Sequence, residues 1–316
     1  MDTNLDSPGA GDVEKYLVSI TRGLAYFLDV NVSGNGDKLS IMMLFFILKA
    51  NLKHTLQHGV SIAEDDRRYV EKVIEIADRL IAVYGNQLNT EDDDDWKLAS
   101  LMEHDIVIMK TLKLFNTNIS SSSDAGSNLD SLERRWNNSC DYLNQGIVNL
   151  DHDKYNLSLQ CKIFFIGIAT FVKGCSLTAN DSLVLSAHCA QAHAESEYLV
   201  KNSVDLQLFT LYVTFCSMAG ESQFFRRSWF EKVLSLQTED GSFSGAIDKN
   251  HRQCALGHIL KVYPEGSTST GEHLMQWDSE QFSASAVAAL AAAVRFVLEP
   301  RRKGSIVINY SYVPHL

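Results

Sequence analysis

The stretch Leu39-Ser40-Ile41-Met42-Met43-Leu44-Phe45-Phe46-Ile47-Leu48-Lys49-Ala50-Asn51-Leu52-Lys53-His54-Thr55-Leu56 is almost unbroken apolar chain down to Leu48 and stays largely apolar to its end. A segment apolar all round has no face for water, so it reads as an inner, buried helix. On its N-terminal side, Ser33-Gly34-Asn35-Gly36-Asp37 predicts a turn. Before that, Val13, Tyr16, Leu17, Ile20, Leu24, Phe27 and Leu28 recur at steps of three and four, one face of a helix that Asp12 can cap. On its C-terminal side, Ser61-Ile62-Ala63-Glu64 matches a capping box. Tyr69, Val73, Ile76 and Leu80 then mark an amphipathic helix, with Gly85 as its stop.

The remaining chain repeats this alternation. Of four prolines, Pro8, Pro264, Pro300 and Pro314, just one lies between residues 9 and 299, so helices can run uninterrupted. Further helices are predicted at 129–150, 157–173, 181–200, 204–219, 227–237, 251–263 and 278–298. Very apolar helices (39–56, 157–173, 204–219) alternate with amphipathic ones. That pattern predicts an all-α fold of stacked helical hairpins, inner helices lining a centre and outer ones facing water. The expected architecture is an α/α toroid, complete or incomplete, in a single domain over residues 1–316. A flexible loop is expected at 116–128, rich in Asn, Ser, Asp and Gly, and an extended tail at 300–316, rich in β-branched and aromatic residues.

Composition excludes several classes. The 316 residues are 45% hydrophobic and 21% charged, the balance of an ordinary globular chain. A net charge of -11, from 28 basic and 39 acidic side chains, with no basic stripe, argues against nucleic acid and anionic membrane surfaces. The apolar runs at 41–48 and 163–172 fall short of the ~18 residues of a membrane span. No membrane span is expected.

Two signals conflict over compartment. Met1-Asp2-Thr3-Asn4-Leu5-Asp6 is acidic and polar, unlike the basic-then-apolar start of a secretory signal, which points to the cytoplasm. Six Asn-x-Ser sites, Asn31, Asn118, Asn137, Asn156, Asn180 and Asn309, point instead to N-glycosylation. The six cysteines, Cys140, Cys161, Cys175, Cys189, Cys216 and Cys254, are too sparse for a disulfide scaffold. They fit either free core thiols or one or two disulfides in a secreted helical domain.

The segments Leu208-Phe209, Phe215-Cys216-Ser217-Met218-Ala219-Gly220, Phe224-Phe225, Trp229-Phe230, Leu234-Ser235-Leu236-Gln237 and Asp240-Gly241-Ser242-Phe243 resemble an uncharacterised animal family. It is named after an open reading frame on human chromosome 16, and its members are described as secreted, glycosylated and homodimeric. The similarity extends to 283–290 and to 24–56. The chain departs from the family pattern at Ser242, where vertebrate members carry Cys, and in 278–282, which lacks a family Gly-Cys. Both Cys are missing together, as the loss of one disulfide would leave them. The resemblance implies a secreted or secretory-pathway homodimer that works by binding a partner, without catalysis.

Gln237-x-x-Asp240-Gly241-Ser242-Phe243 is also similar to the Gln-x-x-Asp-Gly-aromatic turn of α/α-toroid proteins, among them terpenoid cyclases, prenyltransferases and some polysaccharide-active barrels. There, as the resemblance implies, the Gln and the aromatic residue tie one hairpin to the next. Gly241 suits a left-handed turn position and Phe243 can fold back on the helix anchored by Trp229. A shared turn carries a fold and no activity.

Three constellations could carry chemistry. Cys189/His193 and Cys254/His258 are Cys-x3-His pairs on predicted helices, each pair on one face, and together they could close a Cys2His2 zinc site. Two buried thiols beside unrelated histidines is the simpler reading, so no cofactor is favoured. Asp240, Asp278 and Glu280 could line a toroid mouth as paired acids, the basis of an alternative reading as an enzyme on a carbohydrate or isoprenoid-like substrate. Asp240 more simply shapes its turn and Asp278 caps the last helix. The acidic run 91–95 more simply favours a helix start than a metal–diphosphate motif, because Trp96 stands where that motif needs its last Asp.

Overall fold

The computed structural model describes residues 6–30, 35–58, 62–87, 163, 181–244 and 279–299. Among these the protein is all-α, with seven α-helices and no strand. They are α1 (Ala10–Asp29), α2 (Asn35–His58), α3 (Glu64–Gln87), α4 (Asp181–Asn202), α5 (Leu206–Met218), α6 (Arg227–Leu234) and α7 (Ser279–Leu298), with a 3-10 turn at Ser222–Phe224 before α6. The expected loop at 116–128, the tail at 300–316, the helices at 129–150 and 251–263 and the acidic run at 91–95 lie outside the described residues, as does 157–173 except for Ile163, which is helical and buried.

The apolar stretch does form a buried helix. From Ser40 to Leu52 every side chain of α2 is buried. Its start differs from expectation: Asn35, Gly36 and Asp37 belong to the helix and not to a turn. Helix α1 begins earlier than its apolar stripe. Gly9 is the N-cap and Asp12 sits in the first turn, its Oδ2 accepting from the Gly9 N–H at 2.9 Å. Asp12 therefore caps the start from inside the helix. Helix α3 starts at Glu64 and runs two residues past Gly85. Its buried stripe is Val70, Val73, Ile74, Ala77, Leu80 and Tyr84, while Tyr69 and Ile76 are only half-buried.

Helix α7 organises the core. It packs against α1, α2 and α5; α2 also packs against α3, and α4 against α5. Every residue from Gln281 to Phe296 is buried. The run of alanines on α7 lets neighbouring helices approach closely, and at Gly23 of α1 a β-carbon would stand 2.4 Å from Val287 Cγ1. Over Glu280–Leu298, α7 is long and apolar enough to cross a bilayer by length and composition, although Ser283, Ser285 and Arg295 interrupt its apolar run. Of that window 89% is buried inside the protein, the signature of a core helix.

Helix α5 is buried on all sides, so its hydroxyls bond locally. Thr210, Thr214 and Ser217 donate to the carbonyls of Gln207, Thr210 and Thr214 at 2.8 Å each. Thr210 Oγ1 and Ser285 Oγ are 2.7 Å apart, linking α5 to α7. Asp205 caps α5 from the left-handed region, φ 42°, accepting from the Leu208 N–H at 3.1 Å.

Candidate functional site

The most specific motif of the sequence folds into a compact hub. After α6, residues Gln237 and Phe243 pair in one antiparallel bridge, and the turn between them is closed by its own side chains. Asp240 Oδ1 accepts from Thr238 Oγ1, from the Ser242 N–H at 3.0 Å and from Ser242 Oγ at 2.8 Å. These bonds, that from Thr238 first, hold the Asp240 carboxyl below its ordinary range. Gly241 takes φ +95°, as the turn requires.

Gln237 fastens this turn to α1. Its Oε1 accepts from Ser19 Oγ at 2.8 Å, while its Nε2 donates to the Ser19 carbonyl at 2.9 Å and to the Gly241 carbonyl at 3.0 Å. Arg22, one turn on, donates from its guanidinium to the carbonyls of Thr238 at 3.0 Å and Glu239 at 3.2 Å. The Phe243 N–H donates to Ser283 Oγ of α7 at 2.8 Å, and the Phe243 ring lies 6.3 Å from that of Phe282, edge to face. Three elements distant in sequence thus meet at one turn: α1, the end of α6 and α7. Gln237 bonds to Ser19 of α1, and the Phe243 N–H bonds to Ser283 of α7.

A second cluster joins α4, α5 and α6. Cys189 and Cys216 form a disulfide, Cα–Cα 5.7 Å, with both residues fully buried. One helical turn beyond Cys189, the His193 ring lies 5.4 Å from Phe224 and 5.5 Å from Trp229, and the Arg226 guanidinium stands over the Trp229 ring at 4.6 Å. Burial, and then the Arg226 charge, push the His193 imidazole below its usual range. His193 Nε2 is buried without a hydrogen-bond partner.

A third cluster is a buried ionic one. Arg295 of α7, fully buried, donates from Nε to Glu299 Oε2 at 2.8 Å and from a terminal nitrogen to Asn51 Oδ1 at 3.2 Å. His54 of α2 brings Nδ1 to 3.7 Å from the same Glu299 oxygen, and its ring lies 4.5 Å from that of His58, tilted by 50°. The group fixes the C-terminal end of α7 against α2.

These positions bear directly on the expected chemistry. The oxidised Cys189 sulfur is bonded to Cys216 and offers no thiolate, so the Cys189/His193 pair is not a zinc-ligand pair here; Cys254 and His258 lie outside the described residues. No group of three or more metal-binding side chains occurs among the described residues. Asp240 is a turn-shaping carboxylate on the surface. Glu280 is half-buried in the first turn of α7, and Asp278 lies outside the described residues. All six Asn-x-Ser asparagines, Asn31, Asn118, Asn137, Asn156, Asn180 and Asn309, also lie outside them. Arg22 and the Arg295–Glu299–His54–Asn51 cluster escape the sequence reading, although a lone Arg in an alanine helix with Glu four residues on is the pattern of a paired buried charge.

No protein-family model matches the chain, and no curated protein or solved structure is significantly similar to it.

Proposed function

We propose that this protein is a secretory-pathway, glycosylated homodimer that acts by binding a partner. The observation that carries the reading is the Cys189–Cys216 disulfide, buried in the seam between α4 and α5. Disulfides persist where the environment is oxidising and are rare in reduced cytosol. The six Asn-x-Ser sites and the family resemblance around 208–243 point the same way.

The packing supports binding over catalysis. The inner helices α5 and α7 bury their own side chains on every face across Leu206–Met218 and 281–296. Asp240, the turn acid nearest to a catalytic assignment, is engaged by three bonds inside its own turn. The toroid also belongs to this proposal: α7, the last of the described helices, lies against both α2 and α5 and so joins the first hairpin to a later one, as closure of a ring of inner helices requires.

The test is the intact mass of protein secreted from an animal host, alkylated without reduction, before and after removal of N-glycans. The reading expects a glycan shift and fewer than the six alkylated cysteines a fully reduced chain would give. Six alkylated cysteines with no glycan shift would overturn it.

A further inference from the structure

Helix α5 carries a polar stripe along an otherwise apolar surface. Gln207, Thr210, Thr214 and Ser217 recur at steps of three and four, so they share one face. That face is turned to α7: Thr210 Oγ1 lies 2.7 Å from Ser285 Oγ, and Thr214 Oγ1 donates to the Ser285 carbonyl at 3.4 Å. Farther along, the Ser217 carbonyl accepts from an Arg295 terminal nitrogen at 3.5 Å. Residue numbers rise together across this seam, so α5 and α7 run parallel and their first turns lie at the same end. There Gln207 stands one turn before Thr210, and Gln281 one turn before Ser285, 4% and 1% exposed.

The two ends of the seam differ. At the far end the Arg295 guanidinium is matched by Glu299 and Asn51. In the middle, Thr210 and Ser285 bond to each other and to carbonyls of their own helices. At the near end, neither Nε2 nor Oε1 of Gln207 has a hydrogen-bond partner among the described residues, although both atoms are buried. It is the only side chain among them with two such atoms. Burying an amide with neither group bonded costs the folded state the desolvation of both, so an amide in this position calls for a mate.

We propose that Gln207 is the recognition group of a binding site for a small uncharged molecule, seated in the seam between the first turns of α5 and α7. A primary amide presents a donor and an acceptor side by side, so its complement offers an acceptor and a donor in the same way. That is the chemistry of a carboxamide or of a pair of neighbouring hydroxyls. The charge pattern selects a neutral ligand. Helix α5 has no charged residue from Leu206 to Met218, and α7 has none from Gln281 to Val294. An ionised ligand would give up its hydration there without meeting a counter-charge. The inference goes beyond the partner-binding reading and needs neither its compartment nor its oligomeric state.

The test compares the mass of the full-length chain under native and denaturing conditions, and then the melting of the dialysed protein with nicotinamide or myo-inositol added. Gln207→Leu and Gln207→Met each replace the amide with an apolar side chain of like size, and Lys72→Ala on the surface of α3 is the control. The wild type should carry one small molecule in its native mass, or gain about 2 °C or more in Tm with one of the two probes. Both Gln207 variants should lose that effect and Lys72→Ala should keep it. A gain with nicotinamide identifies the ligand as a carboxamide, and a gain with myo-inositol as a hydroxyl pair. Equal native and denatured masses with no gain from either probe overturn the site. A bound molecule or a gain that persists in a folded Gln207 variant overturns it as well.

Discussion

Gly241 and Arg22 meet backbone to backbone: a β-carbon on Gly241 would stand 2.3 Å from the Arg22 carbonyl oxygen and 2.8 Å from its carbon. The hub turn is seated on α1 with no room for a side chain, in a conformation, φ +95°, that side chains rarely adopt. Gly241→Ala is therefore destabilising twice over, through backbone strain and through a contact that only a shift of α1 can relieve. The expected loss is about 3 kcal/mol or more, read as a lower denaturation midpoint at unchanged slope. A variant as stable as the wild type would mean that the turn does not dock on α1.

Gln237 makes three bonds from one amide, two to Ser19 and one to the turn. Gln237→Glu keeps the shape but replaces the donating nitrogen with an acceptor facing two carbonyls. Each part-buried bond lost this way costs about 1 to 3 kcal/mol, because its partner is left unsatisfied. Paired with Ser19→Ala in a double-mutant cycle, Gln237→Ala should show a coupling of about 0.5 kcal/mol or more. Additive losses would separate Gln237 from α1.

Much of this hub is legible in the amino-acid sequence. The Gln-x-x-Asp-Gly-x-Phe spacing announces a turn whose Gly takes positive φ, and Asp240 and Gly241 behave as their residue types dictate. The apolar periodicity finds α1 to α7 within a few residues because burial of apolar surface, the main force that drives folding, follows it. What stays hidden is long-range. Nothing near Arg22 says that its guanidinium will cap carbonyls over two hundred residues away, and nothing in the spacing of six cysteines singles out Cys189 with Cys216. The ends of α1 and α2 are missed for a local reason. Gly9, Asn35 and Gly36 are weak helix residues, so local propensity does not carry the reading to those ends, and at α1 a carboxylate folds back onto the Gly9 N–H.

The disulfide closes a span of 27 residues. In the chain-entropy account, a loop of that size stabilises by about 3.5 kcal/mol through the unfolded state. The double variant Cys189→Ala/Cys216→Ala should lose stability of that order in non-reducing buffer. Dithiothreitol should add little further loss to the double variant while destabilising the wild type. Both sulfurs are buried, so reduction of the folded wild type should be slow and should quicken with mild denaturant. Immediate reduction under native conditions would contradict the buried position.

Acid should weaken the seam between α2 and α7 through His54. Its side chain is 4% exposed, and burial first, then Arg295 and His58, lower its pKa from 6.5 to about 3. The native state therefore holds His54 neutral where the unfolded chain, with an ordinary histidine, takes up a proton. The neutral ring costs nothing above about pH 6.5, and stability is lost as pH falls from there toward about 3, because the unfolded state binds the proton first. The steepest slope from one such group is about 1.4 kcal/mol per pH unit. Urea unfolding of wild type and His54→Phe at pH 7.5, 6, 5 and 4.5 isolates this contribution, since acids elsewhere titrate in both. The wild-type curve should fall below that of the variant progressively through this range. Parallel curves would show that His54 is protonated with equal ease in both states and does not burden the folded core.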